Sequence, residues 1–323
     1  MNILFVTSTR IGDAVLSTCL LSHLVAEYSN ARFTVACGPL PAPLFAAVPE
    51  VERVIPLNKQ RFSGHWISLW ADVMSTRWDL IVDLRASVLA WTLWAKSRKT
   101  LRSSDEGETI HRVVELNKFF NLTSTQGPKL WLPEASMAKA ASNIPEGNPV
   151  IGLGVTANWL PKIWPAQNFA DVVERLTSAD GLLPSARVAV FGADEERALA
   201  KPVLDRLAEQ QRIDLVGQND LLAVAACLSI CDLFIGNDSG LMHMAAAVQT
   251  PTIGLFGPSP ALRYGPWGDH CAAVESSESY AELVGAPDFD HRANLNLMQG
   301  VSVEAVEQAA HDLCAKIARA ENG

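Results

Sequence analysis

Some patterns are missing from this 323-residue chain, and each absence removes a class of function. Six cysteines (Cys19, Cys37, Cys227, Cys231, Cys271 and Cys314) are scattered without C-x-x-C pairing, and Cys227 and Cys231 lack the second pair a zinc site needs. They read as reduced thiols of a cytoplasmic protein. The seven histidines stand apart, so neither H-E-x-x-H nor any other local metal-ligand spacing occurs. G-x-S-x-G and the P-loop are absent too, which takes the usual support from hydrolase and nucleoside-triphosphatase readings. No apolar run reaches the roughly 18 residues of a membrane span, and MNILFVTSTR has no basic stretch ahead of its apolar run. A soluble or peripheral protein is expected, and no repeat of 20 to 50 residues is visible.

What is present points to two domains, because the length is about twice that of a typical domain and 49% of residues are apolar. Net charge is −9, unevenly spread: Lys/Arg against Asp/Glu gives 15 − 13 = +2 up to residue 150 and 11 − 22 = −11 beyond it. The halves therefore have different electrostatic partners. Residues 84–104 carry Arg85, Lys96, Arg98, Lys99 and Arg102 and no acid, with Trp91 and Trp94 beside them. That mixture suits an anionic lipid surface, and a solvated helix followed by an edge strand would look similar.

Short β-branched runs alternate with longer helical ones, the signature of parallel sheets built from βαβ units. Strands are expected at 2–7, 32–37, 53–57 and 79–84, with helices at 12–28 and 111–122. A stretch of turn formers at about 132–149 reads as a linker, which sets domains of 1–147 and 148–323. The alternation restarts with strands at 149–155, 186–192, 213–217, 231–236 and 251–257, helices between them, and a terminal helix at 303–320. An α/β architecture follows: two Rossmann-like domains, their parallel sheets facing a central cleft, with ligands at the carboxyl ends of strands.

Three clusters carry candidate chemistry. In FVTSTRIGDAVLST, Asp13 sits where a strand hands over to a helix. There a carboxylate could simply meet the open backbone N–H groups of the first turn. In FIGNDSGLMHMAAA, Asn237 to Gly240 make a tight turn that opens directly into a small-residue helix, with Met242 and His243 in its first turn. Free N–H groups and the helix dipole would hold a phosphate or diphosphate there without a metal, and an ordinary capped helix is the plainer alternative. In VTANWLPKIWPAQNF, Lys162 stands just before Trp164-Pro165, a proline placed to start a helix, and could reach a phosphate at the same sheet edge. Gly152-x-Gly154-x-x-Ala157 fits G-x-G-x-x-A, but a loop rather than a helix follows, so a dinucleotide site is not expected. Asp288-Phe289-Asp290 spells D-x-D in a polar stretch with no strand before it, so a metal role is not expected either.

In combination, R-x-G-D-x-x-L (Arg10, Gly12, Asp13, Leu16), K-x-W-P (Lys162, Trp164, Pro165) and D-S-G-x-x-H-x-A-A followed by P-x-x-x-L-F-G-P resemble glycosyltransferase family 9, the ADP-heptose:lipopolysaccharide heptosyltransferases. DLIVDLR and HRVVELNKFFNL fit the same family. The resemblance implies a GT-B fold with the acceptor on the first domain, the donor nucleotide on the second, and a terminal helix that can pack back on the first. It implies an inverting, metal-independent transfer of heptose from ADP-heptose to a phosphorylated, lipid-linked inner-core saccharide of lipopolysaccharide. Asp13 then matches the general base, with Arg10, Gly12 and Arg85 on the acceptor side. Lys162, Asp238, Ser239, Gly240, Met242 and His243 match the donor site, with Asn158 near the phosphate and Asn219 near the adenine. The ribose acid is Asp194 or Glu195. Another nucleotide-sugar, a non-catalytic binder or a sugar-nucleotide epimerase are the alternatives. No metal, resident cofactor or nucleic acid is expected, and the protein would work in the cytoplasm, in peripheral contact with the inner face of the membrane. Cys19 stands where the family often has proline, and 280–300 departs from its usual pattern.

Overall fold

Apolar strands that alternate with helices do fold as two parallel sheets. The computed structural model describes residues 1–101, 109–285 and 296–321, and the chain divides into two units, Met1–Pro133 and Glu134–Gly323. The first unit holds strands β1 (Asn2–Val6), β2 (Arg32–Cys37), β3 (Val51–Pro56), β4 (Trp78–Asp83) and β5 (Ala95–Thr100). Between and after them lie α1 (Ile11–Glu27), α2 (Ala42–Ala46), α3 (Gly64–Val73), α4 (Leu89–Thr92) and α5 (Arg112–Phe120). The sheet order is β3-β2-β1-β4-β5, all parallel. β1 is central, and Ile3 to Val6 are 0% exposed because a parallel sheet of this kind is covered on both faces.

The second unit opens with α6 (Glu134–Asn143) and continues through β6 (Val150–Gly154), β7 (Arg187–Phe191), β8 (Arg212–Asp214), β9 (Leu233–Asn237), β10 (Thr252–Phe256) and β11 (Cys271–Glu275). Its later helices are α7 (Ala166–Thr177), α8 (Arg197–Leu204), α9 (Leu221–Ser229), α10 (Gly240–Ala247), α11 (Ala261–Tyr264), α12 (Tyr280–Val284) and α13 (Val303–Glu321). The order β11-β10-β9-β6-β7-β8 repeats the first sheet's logic with one more strand. In each unit the chain runs outward from a first strand, then returns to that strand's other side. The pairs β1/β4 and β6/β9 are therefore switch points, where loops leaving the carboxyl ends diverge and open a crevice.

Several elements differ from the sequence expectation. The expected linker contains α6, which packs on α9, so the division falls at 133/134 and not 147/148. Ala-rich helices read poorly against turn formers, and here Asn143 is tied by its side chain to Asn219. Residues 84–101 of the basic tract hold the short α4 and then the edge strand β5, and α3 and β11 are elements beyond those expected from the sequence. The terminal helix α13 packs on α7, β10 and β11, and Arg175 reaches Glu304 and Glu307 on it, which makes it part of the second unit. Asp288-Phe289-Asp290 and Arg102 lie outside the described residues. Gly152 and Gly154 lie inside β6, and a Cβ on Gly154 would come 2.7 Å from the ring of Phe234. Those glycines make room for an aromatic ring under the sheet, which accounts for the G-x-G-x-x-A pattern without a nucleotide.

Candidate active site

The second unit's crevice is assembled from two loops that leave β6 and β9. The loop after β6 winds through a 3-10 turn at Leu160–Lys162, and Pro165 then caps α7. Trp164 anchors it. Its ring is 0% exposed, packs edge-on against Phe169 at 5.0 Å, and donates its indole N–H to the Val301 carbonyl at 2.8 Å. The backbone N–H of Trp164 donates to Asn237 Oδ1 at 3.0 Å, which joins this loop to the end of β9. Two residues earlier, Lys162 Nζ donates to Asp238 Oδ2 at 2.5 Å. The structure thus brings Lys162 and the Asp238-Ser239-Gly240 turn together, although 76 positions separate them.

This turn leads straight into α10, whose N-cap is Ser239 in extended conformation with no side-chain capping bond. Ser239 Oγ and Asn237 Nδ2 are both buried and without a partner. A buried polar atom left so costs about 1–3 kcal/mol, so a ligand that satisfies both is stabilised. His243 is buried one turn into the helix, its Nε2 4.0 Å from Asp238 Oδ1. Lys162 neutralises Asp238, so an anion arriving at the helix N-terminus meets amides and the positive dipole end rather than a bare carboxylate. Met242 belongs elsewhere: it is 0% exposed, and its sulfur fills the space a Cβ on Gly254 would occupy. It packs α10 on β10, as its place on the inner side of the helix dictates.

The other residues that the family resemblance assigns to the donor are spread along the same sheet edge. Asn158 is exposed in the loop after β6. Asp194 and Glu195 are both exposed beyond β7, and Asp194 pairs loosely with Arg197 at 4.0 Å. The acid that turns inward is their neighbour Glu196, whose Oε2 accepts from Thr156 Oγ1 and from the Ala193 N–H, each at 2.9 Å. Glu196 therefore stitches the loops after β6 and β7, and sequence reading passed over it because three acids in a row look alike. Asn219 accepts from Asn143 Nδ2 at 2.8 Å while its own Nδ2 is buried without a partner.

The first unit presents Asp13, Gly12 and Arg10 at the corresponding point, after β1. Arg10 is the extended N-cap of α1 with no side-chain cap, and Asp13 is in the first turn, half-buried. Asp13 accepts from Ser8 Oγ at a long 3.4 Å, and Ser8 Oγ also accepts the Arg10 N–H at 3.3 Å. Gly38, in the loop after β2, presses on this segment: a Cβ there would come 2.5 Å from Thr9 Cα. Arg85 follows β4, whose register sets Asp83 beside Val6. Asp83 is 0% exposed and accepts from the Arg85 N–H, the Ser87 N–H and Ser87 Oγ, which fixes the loop and leaves the Arg85 side chain exposed.

The sequence profile of glycosyltransferase family 9 (heptosyltransferase) matches residues 82–289, a span that holds the whole β6/β9 crevice. The chain belongs to this family. A family 9 glycosyltransferase is an enzyme, and its relatives extend the likeness over nearly the full length. Lipooligosaccharide heptosyltransferase 2 of Haemophilus influenzae is 24% identical across 95% of this chain and 99% of its own. The solved glycosyl transferase family 9 protein from Veillonella parvula superposes with a TM-score of 0.80 at 21% identity, over 97% of this chain and 96% of that one. The ADP-heptose LPS heptosyltransferase II of Escherichia coli gives 0.74 at 19% identity, over 97% and 98%. The GT-B class of two Rossmann-like domains therefore holds for this glycosyltransferase. Among the described residues no group of three or more His, Cys, Asp or Glu is spaced to hold a metal, and no helix is long and apolar enough to cross a membrane.

Proposed function

We propose that this glycosyltransferase moves heptose from ADP-heptose to a phosphorylated, lipid-linked inner-core saccharide of lipopolysaccharide, in the cytoplasm at the inner face of the membrane, with inversion and without a metal. The observation that carries the donor half is the junction of Lys162 with an uncapped helix N-terminus whose Ser239 Oγ and Asn237 Nδ2 are buried and unpartnered. A diphosphate satisfies all of these at once, with Asn158 and His243 at its margins. Glu196, Asp194 or Glu195 and Asn219 line the same edge, where the ribose and base would follow. Six free thiols suit a reducing compartment.

In the transfer, Asp13 accepts the proton of the acceptor hydroxyl while that oxygen forms its bond to the anomeric carbon. The bond from that carbon to the diphosphate oxygen breaks, and ADP leaves with its new negative charge held by Lys162 and the α10 amides. One displacement inverts the anomeric centre. Arg10 and Arg85 supply positive charge for a phosphorylated acceptor. The test is to incubate the enzyme with ADP-heptose and a de-acylated inner-core acceptor in the presence of a chelator, and to assign the product's anomeric configuration by NMR. Inverted product at an undiminished rate is expected. Retained configuration, chelator sensitivity, or transfer only from a UDP- or GDP-sugar would overturn the corresponding part.

A further inference from the structure

The first unit carries an apolar surface that neither crevice uses. On α3, Leu69 and Val73 are buried in the sheet-facing core, and beside that stripe Ile67, Trp70 and Met74 recur at helical spacing with exposures of 70%, 37% and 48%. Across α4 and its two ends the same division appears: Leu89, Ala90 and Leu93 are buried in that same core, while Val88 at the N-cap, Trp91 on the helix and Trp94 just before β5 are exposed by 77%, 61% and 70%. Both helices therefore cover one face of the sheet. Arg77, three positions beyond Met74, stacks on the Trp94 ring at 5.2 Å and links the two apolar rows.

The charge of the stretch that carries this surface is predominantly positive. Residues 53–101 contain eight Lys or Arg and three acids, in a protein whose net charge is −9. All three acids are occupied: Asp72 pairs with Arg53 at 3.3 Å, Asp79 with Lys96 at 2.5 Å, and Asp83 is fully buried under its loop. Lys59, Arg61 and Arg77 make no ion pair among the described residues. Indole rings favour the water–hydrocarbon boundary, where the ring is apolar and the N–H stays wet, and cations beside them meet lipid phosphates. A second copy of this chain fits poorly, because a two-fold interface would set Lys59, Arg61 and Arg77 against their own counterparts while Asp72, the exposed acid of α3, is already paired with Arg53.

We propose that the outer surface of α3 and α4 docks the protein on an anionic phospholipid bilayer, with Trp91 and Trp94 inserted at the headgroup level. This rests on the membrane placement proposed above and names the surface responsible for it, and it is measured without either substrate. The test is co-sedimentation of the full chain with phosphatidylcholine vesicles and with vesicles carrying about 30% phosphatidylglycerol, for the parent and for a Trp91→Ser/Trp94→Ser variant. The parent should sediment with the anionic vesicles only, and the variant should lose about ten-fold in partitioning while still unfolding cooperatively, its stability lowered by no more than the exposed Arg77–Trp94 stack contributes. Transfer to a soluble de-acylated acceptor should stay at the parent level, so failure here is distinct from failure of the catalytic reading. Arg77→Gln should give a smaller loss. Equal binding of parent and variant, no binding to anionic vesicles, or a variant that only changes from dimer to monomer in the ultracentrifuge would each overturn the proposal.

Discussion

The two units share one topology and prepare the same point of it differently. At the switch point of the second sheet, the loops after β6 and β9 are locked by Lys162 on Asp238 and by Trp164 on Asn237, on top of a fully buried indole. At the switch point of the first, Asp13 is held by one long bond from Ser8 and the helix it begins has no side-chain cap. The contrast follows from the tasks proposed for them. A site that grips a diphosphate gains from rigidity, because donors fixed in advance need no ordering when the ligand arrives. A base must give its carboxylate oxygens to a substrate proton, and oxygens already tied to backbone amides would be poor acceptors.

That contrast can be broken most sharply at Asp13. An Asp13→Asn change keeps shape and removes the base, so turnover should fall by about 10²–10⁴ in a steady-state transfer assay. If turnover stays near that of the parent, the loosely held carboxylate is not the base. A smaller effect, read in unfolding rather than rate, is expected from the locked side. Lys162→Ala leaves the Asp238 carboxylate largely buried without its partner and should cost about 1–3 kcal/mol in denaturant melts. Adding Asp238→Asn to that variant should return most of the loss, and a double variant no more stable than the single one would show that the ion pair does not hold the crevice. Glu196→Ala cuts the stitch between the loops after β6 and β7, and should weaken ADP binding by about five-fold with little change in turnover at saturation, consistent with one lost hydrogen-bonding group.

The least discriminating effect is shared by both units and so bounds the comparison. Burial pushes the thiols of Cys19 and Cys37 in the first unit, and of Cys271 in the second, up to about 12, and raises that of Cys231 as well. Each folded-state value lies above that of the unfolded chain, about 8.5. The stability these protonated thiols contribute is therefore whole below pH 8.5 and is lost as pH rises toward 12, by about 1.4 kcal/mol per thiol per pH unit at most. Unfolding midpoints should be flat from pH 7 to 8 and fall beyond pH 9 for both units. A drop confined to one would mean that the other's thiols are less enclosed.

Much of this is legible in the amino-acid sequence, for physical reasons that can be named. Buried parallel strands such as NILFV and LFIGN are continuous apolar runs, and the turn at Asp238 to Gly240 announces itself by small polar residues between a strand and a small-residue helix. Lys162 and Asp238 each carried a local signal. Their direct contact carried none, because it depends on β6 and β9 being neighbours while β7, β8 and their helices intervene in the chain. α6 escaped because prolines and a glycine flank it, and its stability comes from packing on α9 more than from its own pattern. Glu196 was hidden among three acids, since only the 3-10 turn at Asp194–Glu196 decides which one faces Thr156. The placement of Met242 in the core was hidden too, because the helix register about its axis is not written in the turn that precedes it.

The central claim is that the nucleotide diphosphate binds at Lys162 and the α10 N-terminus of the second unit while Asp13 of the first takes no part in holding it. Calorimetric titration of ADP into the parent, Lys162→Ala and Asp13→Asn proteins tests this directly. The account predicts a loss of at least about ten-fold in affinity for Lys162→Ala, as expected when a charge-assisted contact is removed, and parent-like affinity for Asp13→Asn. Unchanged ADP affinity in Lys162→Ala, or a loss carried by Asp13→Asn instead, would contradict it.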